Sequence, residues 1–185
     1  MKKYTKITFM TVFGAPVYIH WSALAAIAFI TVLSFKTPIT AIIFMASYFG
    51  IIFAHEFGHA LVAHKLGSAV IRIDIGFIHG WCHHEQAYDD KHDSLIAWGG
   101  VAIQIAIALP VLLLAQIPVI KEINLFAPVV IFLGYINLLL ALFNLAPSRL
   151  LDGGVAWKII PILIRERKAK QTVKKLVKSK FKVVK

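Results

Sequence analysis

The chain is poor in cysteine and in charge. Its single cysteine, Cys82, has no partner for an intramolecular disulfide and excludes a four-cysteine zinc framework. Nine residues are acidic, and charged residues of both signs make up 16% of the sequence, against about a quarter in a soluble domain. That scarcity argues against a disordered chain and an ordinary cytosolic enzyme. The basic residues lack aromatic interleaving or a base-reading motif, so nucleic acid is not expected as a partner. What fills the sequence is apolar: 59% of its residues are hydrophobic and the mean hydropathy is +0.77. At 185 residues one main domain is expected.

Four apolar runs, 17–35, 38–66, 95–120 and 123–146, are each about as long as the roughly 20 helical residues that cross a bilayer core. Gly50, Gly99, Gly100 and Gly134 offer small faces where such helices approach closely. Pro110 and Pro118 are expected to bend or end the third. Lys2, Lys3 and Lys6 precede the first run as they would a signal peptide, but no small-x-small cleavage site follows it, so a retained helix is expected. Of the twenty Lys and Arg, eighteen fall before the first run, from Lys65 at the end of the second run to Lys91, or after Ala146. Only Lys36 and Lys121 fall in the other connections. The positive-inside rule then puts both termini and the central loop in the cytoplasm of a multi-pass plasma or inner membrane protein.

The central loop, 68–93, is the one sizeable piece expected outside the bilayer. Ile71, Ile73 and Ile75 alternate with Arg72 and Asp74, the period of a half-buried strand, and 81–88 returns as a second strand. The fold class expected is therefore an all-α polytopic membrane protein of four spans with a small cytoplasmic-side β-hairpin. Its domain covers 1–156, and a basic tail covers 157–185.

Within the second run, His55-Glu56-Phe57-Gly58-His59 is an H-E-x-x-H motif. Residues four apart lie on one helix face, so two imidazoles can grip one zinc ion, with the glutamate placed to take a proton from water. An acidic group inside a membrane helix costs roughly 2.5–3.5 kcal/mol on insertion scales. A structural zinc site contributes on the order of 10 kcal/mol, which offsets it. A polar face lining a water-filled cavity, or buried contact between helices, is the alternative without metal. A catalytic zinc takes three protein ligands and keeps one position open. Extending the motif in the metzincin manner needs glycine and histidine where the chain has Val62 and Lys65. A thermolysin-like glutamate would be Glu85, which falls in the loop, and His64 faces away from His55. Asp152 is the remaining strong candidate, in a stretch where Pro147 ends the fourth helix and Gly153-Gly154 permits a tight turn. An exposed Asp-Gly turn is the plainer reading of that stretch.

The two motifs together resemble the site-2 protease family of intramembrane zinc metalloproteases. The resemblance rests on H-E-x-x-H in one span and N-x-x-P-x-x-x-x-D-G some ninety residues later, filled by Asn144, Pro147, Asp152 and Gly153. The segment from Gly14 to Ser22 is also similar to the one that opens the first helix in many bacterial members. The resemblance implies His55, His59 and Asp152 as ligands of one Zn2+ and Glu56 as general base. It further implies cleavage of membrane-protein substrates within or beside their transmembrane helices. Where the family has Gly-Pro followed by Asn in the third helix, this chain has Gly99-Gly100 and then Gln104, which is expected to supply that polar contact. At 185 residues, the PDZ or CBS domains of some relatives are not expected.

Asn144 either donates to a developing oxyanion or caps the broken fourth helix. His20 contacts the site from outside the ligand set or, as favoured here, forms an interfacial pair with Trp21. His79, Cys82, His83 and His84 have the composition of metal ligands, but their spacing matches no standard site. Asp89, Asp90 and Asp93 read as a solvated turn and helix cap. Val173, Leu176, Val177 and Phe181 fall at helical spacing among the ten basic residues from Arg165 to Lys185, as in an amphipathic helix on anionic headgroups. Two rivals to a protease are a silent zinc-binding membrane scaffold and a metal transporter, although polar residues on several spans or an internal repeat, usual in transporters, are missing.

Overall fold

The computed structural model describes residues 4–34, 36–121 and 126–183, with backbone alone at 8, 9, 120, 121 and 178–183. Residues 123–125 of the fourth apolar run, the last two of the tail and the side chain of Phe181 lie outside the described residues. The chain opens with two strands, β1 (Tyr4–Val12) and β2 (Ala15–His20), followed by α1 (Trp21–Leu33). A two-residue turn joins the strands, with Phe13 at φ 50° and Gly14 at φ 82°. Two consecutive positive φ values give the turn whose twist matches the flanking strands, and glycine enters that region without steric cost.

This start corrects the expected first span. Residues 17–20 extend as strand, and α1 has 13 residues, about 20 Å of helix against a core about 30 Å thick. A hydropathy window sees one apolar run where the fold has a buried strand and then a helix. Three helices among the described residues are long and apolar enough to cross a membrane: α2 (Pro38–Lys65), α3 (Asp90–Leu114) and the rod Phe126–Asn144. Asp89 caps α3, its carboxylate accepting from the His92 N–H at 2.8 Å. Pro110 is accommodated inside α3, and Pro118 opens the short α4 (Pro118–Lys121). The third rod joins α5 (Phe126–Val129), a π-helical stretch (Val130–Ile136) and α6 (Asn137–Asn144).

The central hairpin forms as β3 (Val70–Ile75) and β4 (Gly80–His84). It does not stand alone. β2 pairs parallel to β3, with Val17 opposite Ile73, so one sheet runs β1-β2-β3-β4 and the all-α expectation is corrected. Val17, Ile73, Ile75 and Cys82 on one sheet face pack with Ile52 and Ala60 of α2. The hairpin also reaches further along α2 than a surface loop would. The Tyr48 hydroxyl donates to the Phe77 carbonyl at 2.5 Å, and Tyr48 lies roughly 25 Å from the Lys65 end of α2. The loop expected outside the bilayer therefore brings its tip, with Phe77 and Ile78 exposed, to the level of the middle of a spanning helix.

After α6 the chain turns through Leu145–Asp152 into α7 (Gly153–Ala156) and then α8 (Ile159–Val183), the helix expected in the tail.

Candidate metal centre

His55 and His59 project from α2 toward α3, and the approach of the two helices is set by glycine. A Cβ on Gly58 would overlap the backbone of Gly99, and one on Gly99 would overlap that of Gly58. Gly100 faces the imidazoles themselves; a Cβ there would lie 2.6 Å from His55 Cε1 and from His59 Nε2. The glycine pair of α3 thus lets its backbone form a wall of the site, which the sequence read as a general small face. Gly50, expected to serve similarly, has no neighbour within 4 Å of an added Cβ.

Each ring is held at Nδ1. His59 Nδ1 lies 2.8 Å from the Ile96 carbonyl, and His55 Nδ1 lies 2.9 Å from Gln104 Oε1. Both partners are acceptors in this arrangement, so each Nδ1 donates, and in a neutral ring the lone pair is then on Nε2. Gln104, 1% exposed, occupies the position expected of it. Its own carbonyl accepts from Asn137 Nδ2 at 2.9 Å. Asn137, fully buried just beyond the π-helical stretch, was missed by the sequence reading; its signal was an amide within an otherwise uncharged apolar run. π-bulges within α-helices recur at functional sites because the extra residue in the turn re-aims the side chains beyond it.

Asp152 reaches the imidazoles from the far end of the chain. Its Oδ2 lies 2.9 Å from His55 Nε2 and 3.4 Å from His59 Nε2, and those two nitrogens are 3.0 Å apart. The turn that delivers it is folded on itself: a Cβ on Gly153 would overlap the Leu145 and Ala146 carbonyls, and one on Gly154 that of Ser148. Trp157 Nε1 donates to the Leu145 carbonyl at 2.6 Å, while Ser94 and Trp98 of α3 donate to Val155 and Ala156 carbonyls, each at 3.0 Å. The Asp152 side chain makes no capping bond to α7 and is 23% exposed, so the exposed-turn reading does not hold. Its Oδ2 is buried without a hydrogen-bond partner.

With both rings neutral, three lone-pair atoms converge on one point. That arrangement is unfavourable for a polar group withdrawn from water, and a cation between the atoms relieves it. Ligands about 2.0–2.2 Å from a tetrahedral zinc stand roughly 3.3–3.6 Å apart, so the trio fits with a small relaxation. His55, His59 and Asp152 are the one such group among the described residues, their ligand atoms all within 4.8 Å of one another.

Glu56, 5% exposed, lies beside this trio under β4: a Cβ on Gly80 would come within 2.7 Å of its Oε1. The Asn144 amide nitrogen stands 3.5 Å from His55 Nε2, on the side of the ring that faces Asp152. The other candidates lie elsewhere. His20 caps α1 through Ser22 and packs edge-on to Tyr4 and beside Trp21, the pairing favoured from sequence. His83 bonds Asp74 at 2.9 Å, and Arg72 pairs with the same carboxylate oxygen. His84 bonds the Glu85 carbonyl. Cys82 packs in the core, where burial, and then the charge of Glu56, push its thiol up to about 12. It stays protonated at neutral pH in the metal-free protein. None of these joins His79 in a second group of ligands among the described residues.

No protein-family model and no curated protein matches the chain. Among solved structures it is similar to the site-2 protease from Methanocaldococcus jannaschii, with a TM-score of 0.61 and 24% identity over 84% of this chain and 71% of that one. The likeness is one of fold, and it agrees with the resemblance drawn from the two motifs.

Proposed function

We propose that the chain is a zinc-dependent intramembrane endopeptidase of the site-2 protease type, cutting peptide bonds within or beside transmembrane helices of other membrane proteins. The observation that carries this reading is the convergence of His55 Nε2, His59 Nε2 and buried Asp152 Oδ2, with Glu56 beside them. His55, His59 and Asp152 hold the ion. A zinc ion bound there supplies Lewis acidity for a carbonyl and lowers the pKa of water toward neutrality.

Glu56 takes the proton from the attacking water and delivers it to the leaving amine. Burial under β4 shields that carboxylate from bulk solvent, so the proton it holds goes to the substrate. Gln104 and the Ile96 carbonyl fix the rings through Nδ1 and keep both Nε2 atoms turned inward. Asn144 carries an amide donor on the same side and donates it to the oxyanion. A helical substrate must unwind, because its backbone hydrogen bonds occupy the carbonyl to be attacked. β4 is the terminal strand of the sheet and lies against Glu56, so an unwound segment pairing with its free edge runs past the carboxylate. The spans lie in the plasma or inner membrane with both termini cytoplasmic, as the distribution of Lys and Arg supports.

The test uses purified protein in detergent with a transmembrane-helix substrate. Cleavage is expected for the native chain, and Glu56→Gln is expected to lose it by several orders of magnitude while retaining one zinc. Asp152→Ala is expected to lose both zinc and cleavage. Absence of cleavage in a zinc-loaded native chain leaves the scaffold, and zinc flux in liposomes leaves the transporter; either result overturns the proposal.

A further inference from the structure

The metal centre makes no use of α8, the longest stretch of charged helix in the molecule. Its first turns are apolar: Ile159 is buried, while Ile160, Leu163 and Ile164 are about half exposed. From Arg165 the composition changes. Arg165, Arg167, Lys168, Lys170, Lys174 and Lys175 follow within eleven residues, and the one acid among them, Glu166, is already paired. Lys91, at the start of α3, bonds both Glu166 oxygens, at 2.7 and 3.0 Å. That ion pair straps α8 to the α3 end that also carries Ser94 and Trp98, which bond the α7 backbone. The helix therefore leaves the bundle in a set direction.

At 100° per residue, Ile162, Ala169, Val173, Leu176 and Val177 fall within one arc about 100° wide, which also holds Glu166 where α8 meets Lys91, so the arc is wholly apolar among the described side chains only from Ala169 onward. Arg167, Lys168, Lys174 and Lys175 occupy the opposite side, with Lys170 at one border of the arc. Val173 and Val177 are 59% and 49% exposed, so the protein leaves most of their surface uncovered. An apolar stripe flanked by long basic side chains suits the boundary between acyl chains and headgroups, where lysine stems lie along the apolar zone and their ammonium groups reach phosphate. The apolar first turns continue into the charged segment from the membrane-spanning bundle, which puts the stripe within reach of a leaflet surface. A nucleic-acid duplex would meet the cationic side but would leave the valines in water.

From this we infer that α8 is a docking helix for an anionic lipid surface, binding phosphate-bearing headgroups through Arg167, Lys168, Lys170, Lys174 and Lys175 while Val173 and Val177 enter the acyl boundary. The inference rests on the reading of the chain as membrane-spanning but not on its chemistry, since adsorption of α8 requires neither metal nor turnover.

The test follows α8 in the full chain. A polarity-sensitive fluorophore is attached at Val173→Cys, with the native chain as the blank for labelling at buried Cys82. The protein is reconstituted in vesicles of phosphatidylcholine alone and in vesicles containing phosphatidylglycerol as well. The expected result is a blue shift in the anionic vesicles that high salt reverses, since salt screens exposed charge. Replacing Lys168, Lys170, Lys174 and Lys175 with glutamine is expected to lower the docked-to-free ratio roughly five-fold per charge. Emission that is the same in both vesicles, or that is indifferent to the four substitutions, overturns the inference. So does a shift produced by a DNA duplex and not by anionic lipid. The Glu56→Gln chain is expected to give the same shift as native, so loss of proteolysis and loss of docking are read separately.

Discussion

Along α2, the face that carries His55, Gly58 and His59 meets α3 backbone to backbone, with glycine on both sides of the contact. The face that carries Ile42, Ala46, Phe49 and Gly50 borders an apolar cavity of about 460 Å³ beneath α1 and the sheet. The same helix is therefore packed to the limit on one side and loosely on the other. In lipid, apolar surface gains little from meeting other apolar surface, so close packing forms where small residues and polar contacts reward it. Around the candidate metal centre that reward is the placement of His55, His59 and Asp152. Beneath α1 no polar group requires placement, and the gap persists.

Single methyl groups test the contrast most sharply. Gly58→Ala pushes a Cβ into the Gly99 backbone, which cannot move aside as a flexible side chain does. We expect it to cost about 3 kcal/mol or more and to strip zinc from the protein, read by thermal unfolding and metal analysis. Next in size is Gln104→Leu, which removes the acceptor at His55 Nδ1 but keeps the bulk. Zinc affinity is expected to fall roughly 10–100-fold, measured by chelator competition, with a smaller change in unfolding temperature. Affinity that stays native would show that the ring is held by packing alone. The smallest effect is expected on the loose face. Gly50→Ala meets open space in the same helix and should be neutral or stabilising by roughly 0.5–1 kcal/mol, with zinc content unchanged. Equal losses at positions 50 and 58 would erase the distinction between the two faces.

Part of this contrast was legible beforehand. The placement of α2 and α3 follows from long apolar runs that no soluble fold would tolerate, and the motif spacing puts His55 and His59 on one face. The glycines were visible as small residues, but which of them meets a neighbour is a property of two helices together, so Gly50 and Gly58 could not be ranked. The N-terminal segment was misjudged for a related reason. Residues 17–20 are as apolar in a buried strand as in a helix, and their partner in β3 lies more than fifty residues away. The hairpin's first strand was legible, since β3 alternates apolar and polar, yet its joining to β2 and its contact with Tyr48 depend on residues distant in the chain, so its place along α2 was not. Asn137 stayed hidden because the π-helical stretch changes the phase of its helix, and a constant 3.6-residue period has no place for such a step.

By itself the sequence determined the class of molecule and its chemical inventory: an apolar chain for a bilayer, an imidazole pair with an acid between them, and a second acid beyond a broken helix. These depend on composition and on neighbours along the chain, which the covalent order fixes directly. The tertiary structure alone decided that Asp152 brings a buried oxygen to the imidazoles, that Gln104 and the Ile96 carbonyl turn both rings the same way, and that β4 covers Glu56. Each of these joins residues far apart in the chain, and such contacts form only where the packed backbones leave room for them.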